Sequence, residues 1–381
     1  MALLSPEHEQ IRDAVRDFVA REVAPHAAAW DKHATFPKEA LRGLAELGLF
    51  GVFVPEEYDG AGLDYTALAV ALEEVAAGDG ATSTILSVNN CPVCNILVNY
   101  GSPAQKQQWL KPLARGAMLG AFALTEPHAG SDASSLRTTA RLDKGADGDH
   151  YIINGAKQFI TSGKNGDVTI VFAVTDKAAG KKGISAFLVP TNAPGYQVTR
   201  IEDKLGQHAS DTAALAFENC RVPAANMIGE PGEGYRIALS SLEGGRIGIG
   251  AQAVGMARAA FEAALAYAKE REAFGKPIFE HQAVQFRLAD MATMVETARQ
   301  MVLHAAALKD AGKPCLKEAA MAKLNASQVA ERVCSDAIQI LGGYGYVSDF
   351  PVERIYRDVR VTQIYEGASD IQRILIARAL A

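Results

Sequence analysis

The stretch Leu119-Gly120-Ala121-Phe122-Ala123-Leu124-Thr125-Glu126-Pro127-His128-Ala129-Gly130-Ser131-Asp132 marks a change of period in the chain. Before it, apolar residues recur at helical spacing. From Leu119 to Leu124 they run together, and short strand-like runs follow: Tyr151-Ile152-Ile153, Val168 to Val174, Ile184 to Val189 and Ala213 to Phe217. Turn signals at Asp147-Gly148, Lys164-Asn165-Gly166 and Pro194-Gly195 punctuate them. No helix of useful length separates these strands. An antiparallel β-barrel or sandwich over 119–229 is therefore expected, rather than a parallel sheet.

Working outward, residues 1–118 read as helical. Ser5-Pro6 supplies an N-cap with proline at the first helical position, and Ile11, Val15, Phe18, Val19 and Val23 keep the helical period. Pro37 and Gly48 bracket a second helix, 64–77 and 82–99 read as two more, and Ser102-Pro103 repeats the cap signature. Residues 230–381 return to helix, with long alanine-rich segments at 234–271, 278–311 and 316–340. Gly275-Lys276-Pro277 and Gly312-Lys313-Pro314 break them, and shorter helices are expected near 350–362 and from about 370. The expected fold class is α+β multi-domain: an N-terminal α-helical domain (1–118), a middle β domain (119–229) and a C-terminal four-helix-bundle-like domain (230–381).

With 49% hydrophobic and 22% charged residues, the 381-residue chain can bury a large core. A net charge of −6 argues against nucleic acid or an anionic membrane as the main partner. Five cysteines, an odd number, with neither a secretory nor a transit pattern at Met1-Ala2-Leu3-Leu4, suggest a reducing compartment. A cytoplasmic protein is expected, with a mature mitochondrial matrix form as the alternative. The eight histidines show no ligand spacing, so no metal is expected. Gly248-Ile249-Gly250-Ala251-Gln252-Ala253 fits a loose dinucleotide pattern, but inside a helical run and not at a strand-to-helix turn. Cys91-Pro92-Val93-Cys94 lacks a companion pair for a metal and reads as structural.

Three segments carry chemistry. The turn from Leu124 to Asp132 is rich in small and hydroxyl residues that let backbone N–H groups approach a polar ring edge; alone it reads as an ordinary capped loop. Gln339-Ile340-Leu341-Gly342-Gly343-Tyr344-Gly345-Tyr346 ends a long helix with glycines that admit a phosphate or another backbone; alone it reads as a C-cap. Ile364-Tyr365-Glu366-Gly367-Ala368-Ser369-Asp370 places a carboxylate on a loop ahead of a helix that Ser369 or Asp370 can cap. A lone glutamate is nearly always a solvated surface group.

Together these segments resemble the acyl-CoA dehydrogenase family over essentially the whole chain. Ala123 to Ser135 matches the family's first signature, and Gln339 to Asp358, with Asp349, Arg354 and Asp358, matches the second. The resemblance implies an FAD flavoenzyme of fatty-acid β-oxidation that converts an acyl-CoA to the trans-2-enoyl-CoA. It implies Glu366 as the base that removes the α-proton while flavin N5 takes the β-hydride. Hydrogen bonds from the main-chain N–H of Glu366 and a flavin ribityl hydroxyl would hold the thioester oxygen. Phe122, Leu124, Thr125, Gly130 and Ser131 would lie along the flavin, with Ser131 also bordering the substrate. Phe159, Ile160 and Thr161 would lie on its other side. Arg271 and Phe274 would reach the FAD of a neighbouring subunit, and Gln282, Gln339, Gly342 and Gly343 would hold its diphosphate and adenosine. Ala368, Ser369 and Asp370 would continue the cofactor site beyond the base. Glu243, Arg246 and Gly367 would border the substrate. The implied partners are an electron-transfer flavoprotein and three further copies of the chain, in a homotetramer built as a dimer of dimers.

The chain departs from its relatives at three places. Phe159 stands where many have tryptophan, Ala368 replaces a common threonine, and Gly245 occupies the position from which isovaleryl-type and long-chain-type members supply their base. The segments Leu242 to Gly255 and Ile85 to Asn90 look most like short-chain and short-branched-chain members, which implies a short or short-branched acyl group. A same-fold oxidase or monooxygenase and a catalytically silent scaffold are the competing readings.

Overall fold

The computed structural model describes residues 4–145 and 148–381. Residues 1–3 and Asp147 of the expected Asp147-Gly148 turn lie outside the described residues. The order is helices, a sheet, then helices, as the change of period implied.

The first helical stretch contains α1 (Pro6–Glu22), α2 (Ala24–His33), α3 (Lys38–Glu46), α4 (Tyr65–Gly78), α5 (Gly80–Val88), α6 (Asn95–Tyr100), α7 (Pro103–Gln105) and α8 (Lys111–Ala114). Ser5 Oγ accepts the His8 N–H at 3.2 Å and Ser102 Oγ the Gln105 N–H at 3.2 Å, each satisfying a first-turn donor. The periodicity did not single out α2, which starts where Val23 ends α1. The single helix expected over 82–99 is also divided. Between α5 and α6, residues 89–94 form a wide π-type turn in which Cys91 has extended dihedrals. Pro92 is the cause: its ring disfavours a helical residue before it and it lacks an N–H. The freed asparagines tie the turn to its neighbours. Asn89 Nδ2 donates to the Phe50 carbonyl (2.9 Å), Asn89 Oδ1 accepts the Gly120 N–H (3.0 Å), and Asn90 Nδ2 donates to the Leu49 carbonyl (2.8 Å).

The sheet contains β1 (Gly120–Ala123), β2 (Thr139–Gly145), β3 (Gly148–Thr161), β4 (Val168–Val174), β5 (Ile184–Pro190), β6 (Tyr196–Ile201), β7 (Thr212–Pro223) and β8 (Met227–Ile228), in the order β6-β7-β3-β2-β4-β5-β8. Most of the pairs are antiparallel, as expected, with a parallel exception the sequence did not indicate. β1 pairs with β4 in parallel, Gly120 opposite Val168. The intervening β2–β3 hairpin makes the connection long enough for a crossover, which a parallel pair requires. β4 and β5 are buried along nearly their whole length because both faces are covered. Val168, Ile170 and Phe172 pack towards Val93, Ile96 and Leu113 of the first helical stretch, while Val171 and Ala173 join Ile153 and Leu215 in a second core within the sheet.

The last stretch contains α9 (Gly234–Glu270), α10 (Gln282–Asp310), α11 (Leu316–Leu341), α12 (Val352–Val359) and α13 (Ser369–Leu380). A two-stranded ribbon, β9 (Glu272–Ala273) with β10 (Lys276–Pro277), turns the chain between α9 and α10. Alanines and glycines let the long helices approach closely: Ala251, Ala322 and Ala326 share one core with Leu72 and Val75 of α4. That core runs through both helical stretches. No helix among the described residues is long and apolar enough to cross a membrane.

Candidate active site

Glu366 lies in the loop between α12 and α13 with a left-handed backbone, φ 52°, followed by Gly367 at φ 89°. Such a pair of left-handed residues is strained at the glutamate and easy at the glycine. The turn throws the carboxylate onto α9: a Cβ added at Gly245 would sit 2.8 Å from Glu366 Oε2. That oxygen is out of contact with solvent and has no hydrogen-bond partner. Burial pushes the carboxyl up to about 7, against the opposing pull of Arg246 and Lys323. Arg246 is buried on α9 with its Nε and Nη1 unpartnered. The backbone N–H of Glu366 also has no intramolecular hydrogen bond among the described residues. A half-buried carboxylate with one solvent-free, unpartnered oxygen, a free N–H and an uncommitted guanidinium is equipped to receive a polar ligand and take a proton from it.

The residue before Glu366 is fixed by a buried polar chain. Tyr365 Oη donates to Gln252 Oε1 (2.9 Å), Gln252 Nε2 to Thr84 Oγ1 (3.3 Å), and Thr84 Oγ1 to Gln207 Oε1 (2.7 Å). Gln207 in turn donates its Nε2 to the Asp358 carbonyl (3.2 Å). Asp358, one of the signature acids, is buried on α12 beside Arg354 (3.5 Å), and burial raises its carboxyl to about 7. Arg354 also meets Asp79 at the N-cap of α5 (3.4 Å). Arg354 and Asp358 therefore join the Glu366 loop to the first helical stretch and to the 202–211 loop of the sheet.

A second group lies on the sheet. β3 and β7 lose register between Lys157 and Ile160, a bulge that turns Phe159 outward at φ 60° with 63% of its surface exposed. Lys157, fully buried, ties this bulge to the turn after β1. Its Nζ meets Glu126 Oε1 (2.8 Å) and the Leu124 carbonyl (3.1 Å), while the Gln158 N–H donates to the Thr125 carbonyl (2.9 Å). Glu126 accepts in addition from the backbone of Arg137 and Thr138. Thr125, Gly130, Ser131, Phe159 and Thr161 keep accessible surface here. Leu124 and Ile160 have buried side chains, and the Phe122 ring packs edge-on against Phe172 at 5.1 Å, so these three offer backbone more than side chain.

The third group is at the far end of α11. A cavity of about 470 Å³ is lined by Arg271, Tyr267, Gly342, Gly343 and Tyr344, with the Arg271 guanidinium over the Tyr344 ring. The Cβ positions of Gly342 and Gly343 are open. Phe274, 96% exposed at φ 57°, stands on the β9–β10 ribbon, and Gln282 and Gln339 are exposed. A basic group, open glycine backbone and bare aromatic faces suit an adenine dinucleotide, so these residues fit the expected FAD. Among the described residues no hydrogen bond or ion pair joins this third group to Glu366.

Some expectations are corrected. Neither Ser369 nor Asp370 caps α13. Ala368 holds the N-cap position, Ser369 Oγ reaches back to the Gln363 carbonyl (3.4 Å), and Asp370 pairs with Arg373 (2.7 Å). Both side chains are already inside the first turn, past the point from which a cap can reach back. Glu243, expected at the substrate border, pairs with Lys309 at 2.9 Å. All five cysteines are free and buried, and burial raises Cys91 to about 12. Lys157, Lys323 and Gln372 escaped notice in the sequence. Lys323 was detectable as the one charge on the α11 stripe formed by Ala319, Ala326 and Ala330.

Family models for the N-terminal, middle and C-terminal domains of acyl-CoA dehydrogenase match residues 5–117, 121–220 and 232–381. The short-chain specific acyl-CoA dehydrogenase of Rattus norvegicus is 50% identical over 374 residues, 98% of this chain and 90% of that protein. Butyryl-CoA dehydrogenase from Megasphaera elsdenii is 42% identical with TM-score 0.95, covering 100% of this chain and 99% of that one. A chain in a structure of the electron transferring flavoprotein of Acidaminococcus fermentans is 47% identical with TM-score 0.97, covering 100% and 99%. Similarity of this extent spans every element described above, and the chain belongs to the acyl-CoA dehydrogenases, FAD-containing oxidoreductases that act on acyl-CoA.

Proposed function

We propose that this enzyme dehydrogenates a short or short-branched acyl-CoA to the trans-2-enoyl-CoA with Glu366 as the base for the α-proton. One observation carries the reading: the partnerless, buried Glu366 Oε2, held against Gly245 on a left-handed turn. The free Glu366 N–H is suited to donate to the thioester oxygen, which strengthens the acidity of the α-carbon as charge develops there. Arg246 faces the carboxylate and limits the rise of its proton affinity, so Glu366 is ionised above about pH 7 and protonated below. FAD, when bound, supplies the acceptor for the β-hydride. Phe159, Thr161 and the 124–131 turn would flank its ring, and Arg271, Phe274, Gln282, Gln339, Gly342 and Gly343 would hold the distal half from a neighbouring subunit. Gly367 and the start of α13 at Ala368, Ser369 and Asp370 would close the site behind the base.

The short acyl preference is supported by the similarity to the short-chain specific enzyme of Rattus norvegicus. An electron-transfer flavoprotein as acceptor is supported by the similar chain in the Acidaminococcus structure. A homotetramer is supported by bare apolar side chains on the last helical stretch, with Phe274 96%, Phe286 61% and Tyr346 86% exposed. We keep 1–118, 119–229 and 230–381 as its domains. The test is anaerobic reduction of the bound flavin by a panel of acyl-CoAs graded in length and branching. Butyryl-CoA should bleach the flavin fastest, and a Glu366→Gln protein should lose at least ~10³-fold in that rate. Near-normal reduction by the variant sinks the base assignment. Rapid reoxidation in air with peroxide release would favour an oxidase instead.

A further inference from the structure

The Gly367 carbonyl, one residue beyond the base, accepts two hydrogen bonds from buried side chains of different helices. Lys323 Nζ on α11 reaches it at 2.6 Å and Gln372 Nε2 on α13 at 2.7 Å. Gln372 also donates to the Glu366 carbonyl at 3.3 Å. Both side chains are 0% exposed. Gly367 suits the contact as well as the turn, since a Cβ there would lie 2.6 Å from Gln372 Nε2. Nothing in the packing of α11 calls for a lysine. Its neighbours on the buried stripe, Ala319, Ala320, Ala326 and Ser327, are small and uncharged, and a buried ammonium is costly unless its charge is used. Here the charge faces a carboxylate and its donor holds the loop that carries that carboxylate.

We propose that Lys323 is a positioning residue for the reaction: with Gln372 it clamps the Gly367 carbonyl to fix the left-handed turn, and its charge holds Glu366 in the ionised form that accepts a proton. The proposal rests on Glu366 being the base. The charged and titratable groups around that carboxylate are few. Arg246 faces it from α9 and Lys323 from α11. Cys91 faces it from the 89–94 turn, its thiol kept neutral by burial, and Tyr365 precedes it with its phenol likewise raised. α13 offers the neutral Gln372, since Asp370 is turned outward onto Arg373. Among the described residues, Arg246 and Lys323 are thus the cations that oppose the burial of Glu366, Lys323 below about pH 8, to which burial lowers it, and Lys323 is the one that also holds its loop. Loss of the lysine should raise the proton affinity of the base, whereas loss of Gln372 should loosen the turn without changing the local charge.

The test is stopped-flow flavin reduction by butyryl-CoA between about pH 5.5 and 9.5 in the holoenzyme. In Lys323→Met the acid limb of the rate should move up by about one pH unit, with a fall of about tenfold near neutrality and a smaller one on the alkaline plateau. Gln372→Leu should lower the plateau and leave the limb in place. Lys323→Arg, which keeps the charge, should keep the limb near that of the parent enzyme. Flavin content and thermal midpoint report folding. If Lys323→Met does not retain FAD, Lys323→Gln reads the same limb. An unmoved limb in either FAD-containing variant overturns the proposal, as does loss of FAD by both neutral variants, which makes the lysine a structural tether only. A Glu366→Gln control that still reduces its flavin refutes the base assignment instead, so the two failures are distinguishable.

Discussion

A methyl group added at Gly245 would stand 2.8 Å from Glu366 Oε2 and 3.1 Å from its Cδ. Ordinary contact begins at 3.4 Å, so the carboxylate oxygen must retreat by 3.4 − 2.8, about 0.6 Å. The atoms in the way are the far end of a flexible side chain, and Gly245 lies inside α9, where alanine gains about 1 kcal/mol of helix propensity. Folding should therefore be indifferent to Gly245→Ala, with a thermal midpoint within about 2 °C of the parent. Proton abstraction should not be indifferent. A misplacement of about 1 Å in a reacting group costs on the order of 10²-fold, so about 0.6 Å should slow flavin reduction by roughly ten- to thirtyfold. The loss belongs in the limiting rate of anaerobic flavin bleaching by butyryl-CoA, with flavin content unchanged. Reduction at the parental rate would show that Glu366 is not held against α9 when it reacts.

Other substitutions probe the remaining parts. In Glu366→Gln the stability profile should change along with the rate. A carboxyl raised from 4.5 to about 7 destabilises the fold in its ionised form, a penalty absent below pH 4.5, growing to about pH 7 and complete above. The Glu366→Gln protein should thus melt above the parent at about pH 8 and level with it near pH 4.5; an equal offset at both would contradict the burial argument. Lys157→Met leaves Glu126, 2% exposed at its side chain, without its cation. It should destabilise by about 3 kcal/mol and lower the flavin-to-protein ratio, because the Phe159 bulge and the 124–126 turn lose their common anchor; full flavin content would separate that anchor from cofactor binding. Arg271→Gln should weaken FAD retention at least about tenfold on dilution with little change in apoprotein melting, since the guanidinium is exposed over Tyr344. Size-exclusion with light scattering tests the assembly, and a fully active monomer would refute the cross-subunit role of Arg271.

Local patterning determined much of this protein. The loss of helical period at Leu119, the runs at Val168–Val174 and Ile184–Val189, and the caps at Ser5 and Ser102 are short-range signals read from neighbouring residues, and the corresponding elements stand where those signals lie. The segment 82–99 failed because helical periodicity outweighed Pro92, whose effect on Cys91 divides it. The parallel pairing of β1 with β4 was also hidden. Strand direction depends on where a crossover returns, and no feature of Gly120–Ala123 encodes that.

The site divides the same way. Glu366 and the glycines at 342, 343 and 367 stood out only through the resemblance to the family's segments, since alone they read as a surface carboxylate and a helix C-cap. Their surroundings did not. Lys157 meets Glu126 across 31 positions, Lys323 meets Gly367 across 44, and Tyr365 meets Gln252 across 113. Whether a lysine is solvated or buried against a carbonyl is set by which helices and strands enclose it, and desolvation acts on that enclosure, not on sequence spacing. The sequence by itself supplied the carboxyl group at 366 and the glycine beside it; only the tertiary structure decided that its Oε2 is out of contact with solvent and unpartnered, with the carboxyl raised to about 7.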